Sequence, residues 1–237
     1  MTAIKVGAVI AAGDGSRLKS LGLAKPLVRV AGEPLVAHVL GNFAAAGIGE
    51  VAVIFNAVEE DCAAFVRARF PSLVSRVIVK STSSSLESFR EVLAASPPGR
   101  LLVSTVDAFV PRPDFLAFLR AAERLPRETT VLAVTAFVAD EKPLWVRTAR
   151  GGRVTEIGGS SGDAVTAGVY VVPARVRTLL PPASLKRLRE FLAWICAAGE
   201  PITAVSIPKV IDVDRPDDLV LAEALARETA AAGTGAA

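Results

Sequence analysis

The chain has 237 residues, 51% hydrophobic and 22% charged, with a formal net charge of +3. A chain of this length and composition can bury most of itself in one large domain or two small ones, which excludes disorder as its main state and any need for a disulfide or metal to hold the fold. Basic residues are scattered and aromatics make up only 5%, leaving few platforms on which bases could stack, so no nucleic-acid partner is expected.

Cys62 and Cys196 lie far apart and form no CxxC or Cys/His spacing, which argues against structural zinc and a disulfide scaffold. The apolar run Val6 to Ala12, behind Lys5, ends at Gly13-Asp14-Gly15. It is too short to span a membrane and marginal for a signal peptide, so a cytoplasmic protein without a membrane partner is expected.

In chain order, Ile4 to Ala12 is almost wholly apolar, as a strand buried on both faces of a parallel sheet requires. Leu35, Val39, Leu40 and Phe43 recur at helical spacing up to Gly47. Val51 to Phe55 reads as a strand, Asp61 to Phe70 as a helix and Val77 to Lys80 as a strand. Leu86, Phe89 and Leu93 mark a third helix, and Leu101 to Val106 a fourth strand. Alternation of this kind predicts a mostly parallel sheet with right-handed crossovers and helices on both faces.

Further on, Thr130 to Val138, Leu144 to Thr148, Arg153 to Ile157 and Val165 to Val172 are strand-like, and their succession predicts an added antiparallel portion. A helix is expected over Ser184 to Ala198, with strands at Ile202 to Ile207 and Val210 to Val213 and a last helix opened by Pro216. The expected fold is therefore α/β: a single-domain, Rossmann-like, three-layer arrangement over residues 1–228, with 229–237 as a frayed tail.

In an open parallel sheet, ligands bind beyond the carboxyl ends of the strands. The first such loop here is Ala11-Ala12-Gly13-Asp14-Gly15-Ser16-Arg17-Leu18. Its glycines let backbone N–H groups approach an anion, and Arg17 adds a forked cationic donor. Lys25, fixed by Pro26, carries an ammonium suited to neutralising a transferring phosphoryl group. The loop lacks the GxGxxG dinucleotide fingerprint and the P-loop.

The whole segment AAGDGSRLKSLGLAKPLVRVAGEPL, residues 11–35, resembles the N-terminal signature of the nucleotidyltransferase superfamily. This is the group of sugar-phosphate nucleotidyltransferases, or nucleoside-diphosphate-sugar pyrophosphorylases, with a GT-A-like Rossmann fold. The resemblance implies transfer of a nucleoside monophosphate from an NTP to a phosphorylated acceptor, with magnesium and release of pyrophosphate. It places Ala11, Ala12 and Gly13 against the nucleotide, Gly15, Ser16 and Arg17 at the β- and γ-phosphates, and Lys25 at the α-phosphate. Gly32-Glu33-Pro34 reads as a turn entering a helix, with Pro at its first position.

Magnesium commonly takes one or two protein carboxylates beside phosphate oxygens. Asp107 ends the fourth buried strand on the expected binding edge, and the family keeps a metal aspartate there. Asp212-Val213-Asp214-Arg215-Pro216-Asp217-Asp218-Leu219 resembles a DxDxPxDL element whose second aspartate binds metal. Asp214 is thus the second ligand, with Asp212 as its fallback. Asp217 and Asp218 are explained by the dipole of the helix that Pro216 opens.

Ser84 and Glu87 form a capping-box pattern, while the family places a small-residue loop at this point against the base, which assigns Ser83 and Ser84 to the nucleotide. The stretch from Ser81 to Leu86 is closer to cytidylyltransferases for phosphocholine or inositol phosphate than to the usual sugar-enzyme pattern. Thr166-Ala167-Gly168-Val169-Tyr170 resembles the acceptor-lining strand, assigning Thr166 and Gly168 there, although a glycine in a central strand also suits close backbone crossing. His38 is read as packed or superficial, and no general base is needed, because a phosphomonoester with a second pKa near ~6 is already a dianion.

One departure from the pattern stands out. Val154-Thr155-Glu156-Ile157 is followed by Gly158-Gly159-Ser160-Ser161-Gly162, where similar enzymes place the Glu-Lys-Pro whose lysine grips the acceptor phosphate. Glu141-Lys142-Pro143 has the right letters but precedes that strand. Either a backbone nest in the glycine-serine loop binds the phosphate, or the acceptor differs. The expected acceptor is a sugar phosphate or phosphorylated polyol or alcohol. The alternatives are a non-sugar acceptor such as phosphocholine or inositol phosphate, a molybdenum-cofactor nucleotidyltransferase, and a nucleotide-binding regulator without turnover. The resemblance allows a homodimer, and 237 residues leave no room for the β-helix acyltransferase that some relatives append.

Overall fold

The computed structural model describes residues 3–13, 15, 17–18 and 22–234. Strand β1 (Val6–Ala11) leads by way of the 3-10 turn at Lys25–Leu27 into a hairpin of β2 (Arg29–Val30) and β3 (Glu33–Pro34). Then follow α1 (Leu35–Ala45), β4 (Glu50–Phe55), α2 (Glu60–Arg69), β5 (Val74–Val79), α3 (Ser85–Ala95), β6 (Leu101–Thr105) and β7 (Ala108–Phe109). The second half comprises α4 (Arg112–Arg124), β8 (Thr130–Thr135), β9 (Trp145–Thr148), β10 (Val154–Ile157) and β11 (Ala164–Val172). It continues with α5 (Ala174–Arg177), α6 (Leu188–Ala197), β12 (Ile202–Ser206), β13 (Ile211–Asp212) and α7 (Pro216–Thr234).

Strands β5, β4, β1 and β6 lie side by side in that order, all parallel. The chain therefore leaves β1 toward one edge and returns to its other side at β6. This reversal of strand order opens a crevice beyond the carboxyl ends of β1 and β6. Strand β11 runs antiparallel to β6, β8 and β9, while β12 pairs parallel with β8. The expected α/β class thus holds: a mostly parallel mixed sheet with helices on both faces and an antiparallel portion.

Alternate residues of the central strands feed two cores, as the period of two in a strand demands. Val9 and Ala11 of β1 and Leu102 of β6 face α1, α2, α4 and α7. Ala8, Ile10, Leu101 and Val103 face α3 and α6. Gly7 is required by the first core: a Cβ there would lie 2.5 Å from Phe43 Cε2.

Several local expectations need correcting. Helix α4 is absent from the sequence reading, although Phe115, Phe118, Leu119 and Ala122 form its buried stripe. Pro34 is the N-cap of α1 rather than its first helical residue, because Ala31 and Gly32 turn the β2–β3 hairpin with positive φ (50° and 80°) before the helix begins. Helix α6 starts at Leu188, since Glu190 Oε2 accepts from the N–H groups of Lys186 and Arg187 and closes the helix there. The expected frayed tail is helical to Thr234, consistent with the high helix propensity of its alanines; 235–237 lie outside the described residues.

Phe115 stacks on Phe43 with centroids 5.7 Å apart and is 1% exposed, so it joins α4 to α1 beneath the sheet. Phe115→Ala should destabilise the fold by about 3–5 kcal/mol, measured by urea denaturation; a loss below about 1 kcal/mol would mean that α4 does not close this core.

Candidate active site

The site grows from two loops and a stitch. The loop after β1 carries Gly15 at φ 57°, where a Cβ would sit 2.9 Å from Lys25 Cβ. The backbone conformation and the missing side chain together let the loop fold onto Lys25. Lys25 and Pro26 are buried in the 3-10 turn. From the other side, β7 pairs antiparallel with β13, Ala108 opposite Asp212, and the Val213 N–H donates to Asp107 O at 3.0 Å. This short ladder brings Asp107 beside Asp212 and Asp214, over one hundred residues away in sequence.

Lys25 Nζ then donates to Asp107 Oδ2 at 2.6 Å and to Asp214 Oδ1, while Arg17 Nη1 donates to Asp214 Oδ2 at 3.1 Å. The Lys25 side chain is 8% exposed. Burial alone would lower its pKa, but the charges of Asp107, Asp214 and Asp212 outweigh burial and hold it above the ordinary lysine value. Burial would likewise raise Asp107, yet Lys25 keeps its carboxyl below the usual range. Asp212 has surface open to the cavity it faces. Enclosure by the surrounding walls, and next the charge of Asp107, push its pKa well above that of an ordinary carboxylate.

Asp107, Asp212 and Asp214 each offer an oxygen within 4.8 Å of the others. An all-oxygen donor set of this size suits a hard divalent cation such as magnesium. The cluster brings together Asp107 and Asp214, the two ligands expected from the sequence, and the fallback Asp212.

Two cavities meet at this cluster. One, of about 330 Å³, is lined by Ala11, Ala12, Gly13, Lys25, Ser83, Ser84 and Asp107, and also by Thr82, Ser85 and Ser88. The other, of about 290 Å³, contains Thr166, Gly168, Tyr170, Asp107 and Asp212 in its wall, together with Arg187 and Arg189. Ile10, Ser85, Thr105 and Asp107 belong to both. Gly15 lies outside both, behind Lys25, and Arg17 reaches the cluster through Asp214. Ser16 lies outside the described residues.

Other site residues differ in detail from the sequence reading. Ser84 Oγ caps α3 by accepting from the Glu87 N–H at 3.1 Å, but Glu87 returns its carboxylate to Ser83, through N and Oγ, rather than to Ser84. Asp218 does more than offset a dipole: it is 3% exposed, and its Oδ2 accepts from the N–H groups of Asp214 and Arg215 at 3.0 and 2.8 Å. It fixes the backbone that presents Asp214, and its position three residues after Arg215 was the available signal. Gly168 lines the second cavity and also meets protein closely, as the sequence reading of a glycine at a backbone crossing allows. Its Cβ position lies 2.6 Å from Thr105 Oγ1 and 2.7 Å from Ala108 Cβ. His38 packs edge-on against Phe109, with Nε2 2.7 Å from Val30 O.

The model of the MobA-like NTP transferase domain matches residues 7–193. The chain belongs to that family. A bifunctional IPC transferase and DIPP synthase from Rubrobacter xylanophilus is 31% identical over 95% of the chain, which spans only 53% of that relative's length. In three dimensions, the inositol-1-phosphate CTP transferase of T. maritima superposes with a TM-score of 0.80 at 19% identity, covering 92% of each chain. A UDP-glucose pyrophosphorylase complexed with UDP-glucose gives 0.76 at 12% identity over 95% of this chain and 99% of its own. These two likenesses establish the fold.

Within this NTP transferase domain, Gly168 holds the β6–β7 loop against β11 and so sets where Asp107 stands. It also has φ 69°, so Gly168→Ala adds a clash to an unfavourable backbone conformation. The variant should lose about 1–3 kcal/mol of stability, read by denaturant titration. Wild-type stability would show that the loop can move aside.

Proposed function

We propose that the protein transfers a nucleoside monophosphate from an NTP to a phosphorylated small molecule, releasing pyrophosphate. The observation that carries this reading is the wall shared by two cavities at Asp107, with the Lys25 ammonium against it. A nucleotide along Ala11 to Gly13 and Ser83 to Ser88, and an acceptor along Thr166 to Gly168, would have their phosphates adjacent at that wall. Bringing two such groups together in line is itself a large part of catalysis.

An acceptor phosphate oxygen attacks the α-phosphorus as the bond from that phosphorus to the β-bridging oxygen breaks, and the electron pair leaves on pyrophosphate. The attacking dianion has no proton to lose, which fits a site whose one histidine is engaged elsewhere. Lys25 and Arg17 offset the negative charge gathering on the phosphates. Asp107 and Asp214, with Asp212 beside them, would hold a magnesium ion, which screens repulsion between the two anions when bound. Asp218 keeps Asp214 in place.

Among acceptors, inositol phosphate with CTP is favoured by the likeness to the T. maritima inositol-1-phosphate CTP transferase, at a TM-score of 0.80 over 92% of this chain. A matrix of NTPs against myo-inositol 1-phosphate, glucose 1-phosphate and phosphocholine, scored by pyrophosphate, is expected to give turnover with CTP and inositol phosphate. Silence across the matrix would favour a nucleotide-binding regulator. Lys25→Ala should lower turnover at least ~10²-fold, comparable to removing one preorganised transition-state donor; a folded, fully active variant rejects its role. Asp107→Asn should abolish magnesium-dependent turnover, and retained activity at unchanged magnesium concentration would place the ion elsewhere.

A further inference from the structure

The acceptor-side cavity is strongly acidic on one wall, where Asp107, Asp140 and Asp212 line it. A phosphomonoester dianion entering there needs cations that belong to the cavity. Lys25 is committed to Asp107 and Asp214. The glycine-serine loop at 158–162, which stands where similar enzymes carry the acceptor lysine, contributes nothing to the lining. Its Ser161 instead accepts a hydrogen bond from Arg147, whose guanidinium also pairs with Glu156. Lys142 exposes its side chain to solvent and gives the site only its carbonyl.

The two cations that do line the cavity are Arg187 and Arg189, at the start of α6. Neither guanidinium forms an ion pair among the described residues, although both charges act on the carboxylate of Glu190, which accepts from the Arg187 N–H at 2.9 Å. Arg189 Nη2 donates to Lys142 O at 3.0 Å, which holds the guanidinium at the cavity edge and leaves most of its five N–H donors unused. Arg187 is exposed beside it, one side chain able to swing and one fixed. Basic residues clustered in Lys186-Arg187-Leu188-Arg189 carried no meaning in the sequence, where the whole stretch read as helix.

We infer that Arg187 and Arg189 form the binding site for the acceptor's phosphate, taking the place of the missing lysine. The inference rests on the nucleotidyl-transfer reading for its consequence in turnover, but the anion site itself is separately measurable. A planar fork can grip a phosphate through two parallel hydrogen bonds, which a single lysine cannot do.

The test has two arms. In turnover with myo-inositol 1-phosphate or glucose 1-phosphate, R187A/R189A should raise the acceptor KM at least about tenfold while the NTP KM stays within about twofold, the loss expected for hydrogen bonds to a charged group. R189K should recover only part of the loss. In calorimetry, inorganic phosphate should bind the wild type and bind R187A/R189A at least about tenfold more weakly, with thermal melting confirming that both are folded. An acceptor KM unchanged in the double variant, an equal rise in the NTP KM, or equal phosphate binding by both proteins would overturn the inference. A wild type that binds phosphate through these arginines yet releases no pyrophosphate in any combination would leave the anion site standing and reject the transfer reading.

Discussion

The structure depends on one buried ammonium, from near the start of the chain, held between carboxylates from its middle and its far end. Lys25 reaches Asp107 and Asp214 and so ties the first loop, the end of β6 and the approach to α7 into one cluster. Removing such a group from water costs several kcal/mol, which its partners must return. The arrangement is therefore all or nothing: each partner is stable there because the others are. Removing Asp107 would leave the buried Lys25 with only the more exposed Asp214 as ion-pair partner, and so weaken the hold on the first loop. A site this interdependent holds its geometry before any substrate arrives.

The scaffold explains why the cluster forms where it does. Parallel strands end at one rim, and the reversal of order between β1 and β6 separates their following loops, leaving a crevice between them. The glycine loop falls on one side of that crevice and Asp107 on the other. The third contributor, residues 212–214, comes from outside the parallel sheet and is delivered by the β7–β13 ladder. Gly168 completes the construction, since only a residue without Cβ lets β11 and the β6–β7 loop meet. The same glycine breaks the regular pairing of β11 with β8, whose register shifts between Thr166 and Tyr170, so one backbone irregularity both shapes the acceptor-side cavity and positions the aspartate at its mouth.

What was legible in the sequence follows the range of the forces involved. Buried strands such as Val6–Ala11 and amphipathic helices such as α3 announce themselves through local periodicity, and the glycine loop with its lysine could be placed from the strand before it. Helix α4 was equally periodic, but Pro111 and Pro113 punctuate its start and arginines crowd its exposed face, so the stripe of Phe115, Phe118, Leu119 and Ala122 escaped notice. The β7–β13 pairing involves two residues on each side and has no local signature. The contact of Gly168 with Thr105 and Ala108 was legible only as an approach of ligand or backbone, because a glycine shows that something comes close and not what. Arg187 and Arg189 were hidden for a related reason: whether a basic residue faces solvent or a cavity depends on where its helix begins, and α6 begins at Leu188, later than its apolar pattern suggests.

Charge balance links the two halves of the site. Three carboxylates meet Lys25 and Arg17 at the cluster, and in the acceptor-side cavity Asp140 adds a further negative charge opposite Arg187 and Arg189. Lys25 is held by Asp107 and Asp214 and at the same time lines the cavity that Ala11 to Gly13 border. The two arginines form no ion pair among the described residues, and Glu190 beside them is occupied by the backbone N–H groups of Lys186 and Arg187. Lysine at the shared wall is thus balanced by the carboxylates it touches, whereas the two arginines lie in the wall of the other cavity outside any ion pair among the described residues, so positive charge is spread over both cavities rather than concentrated at one.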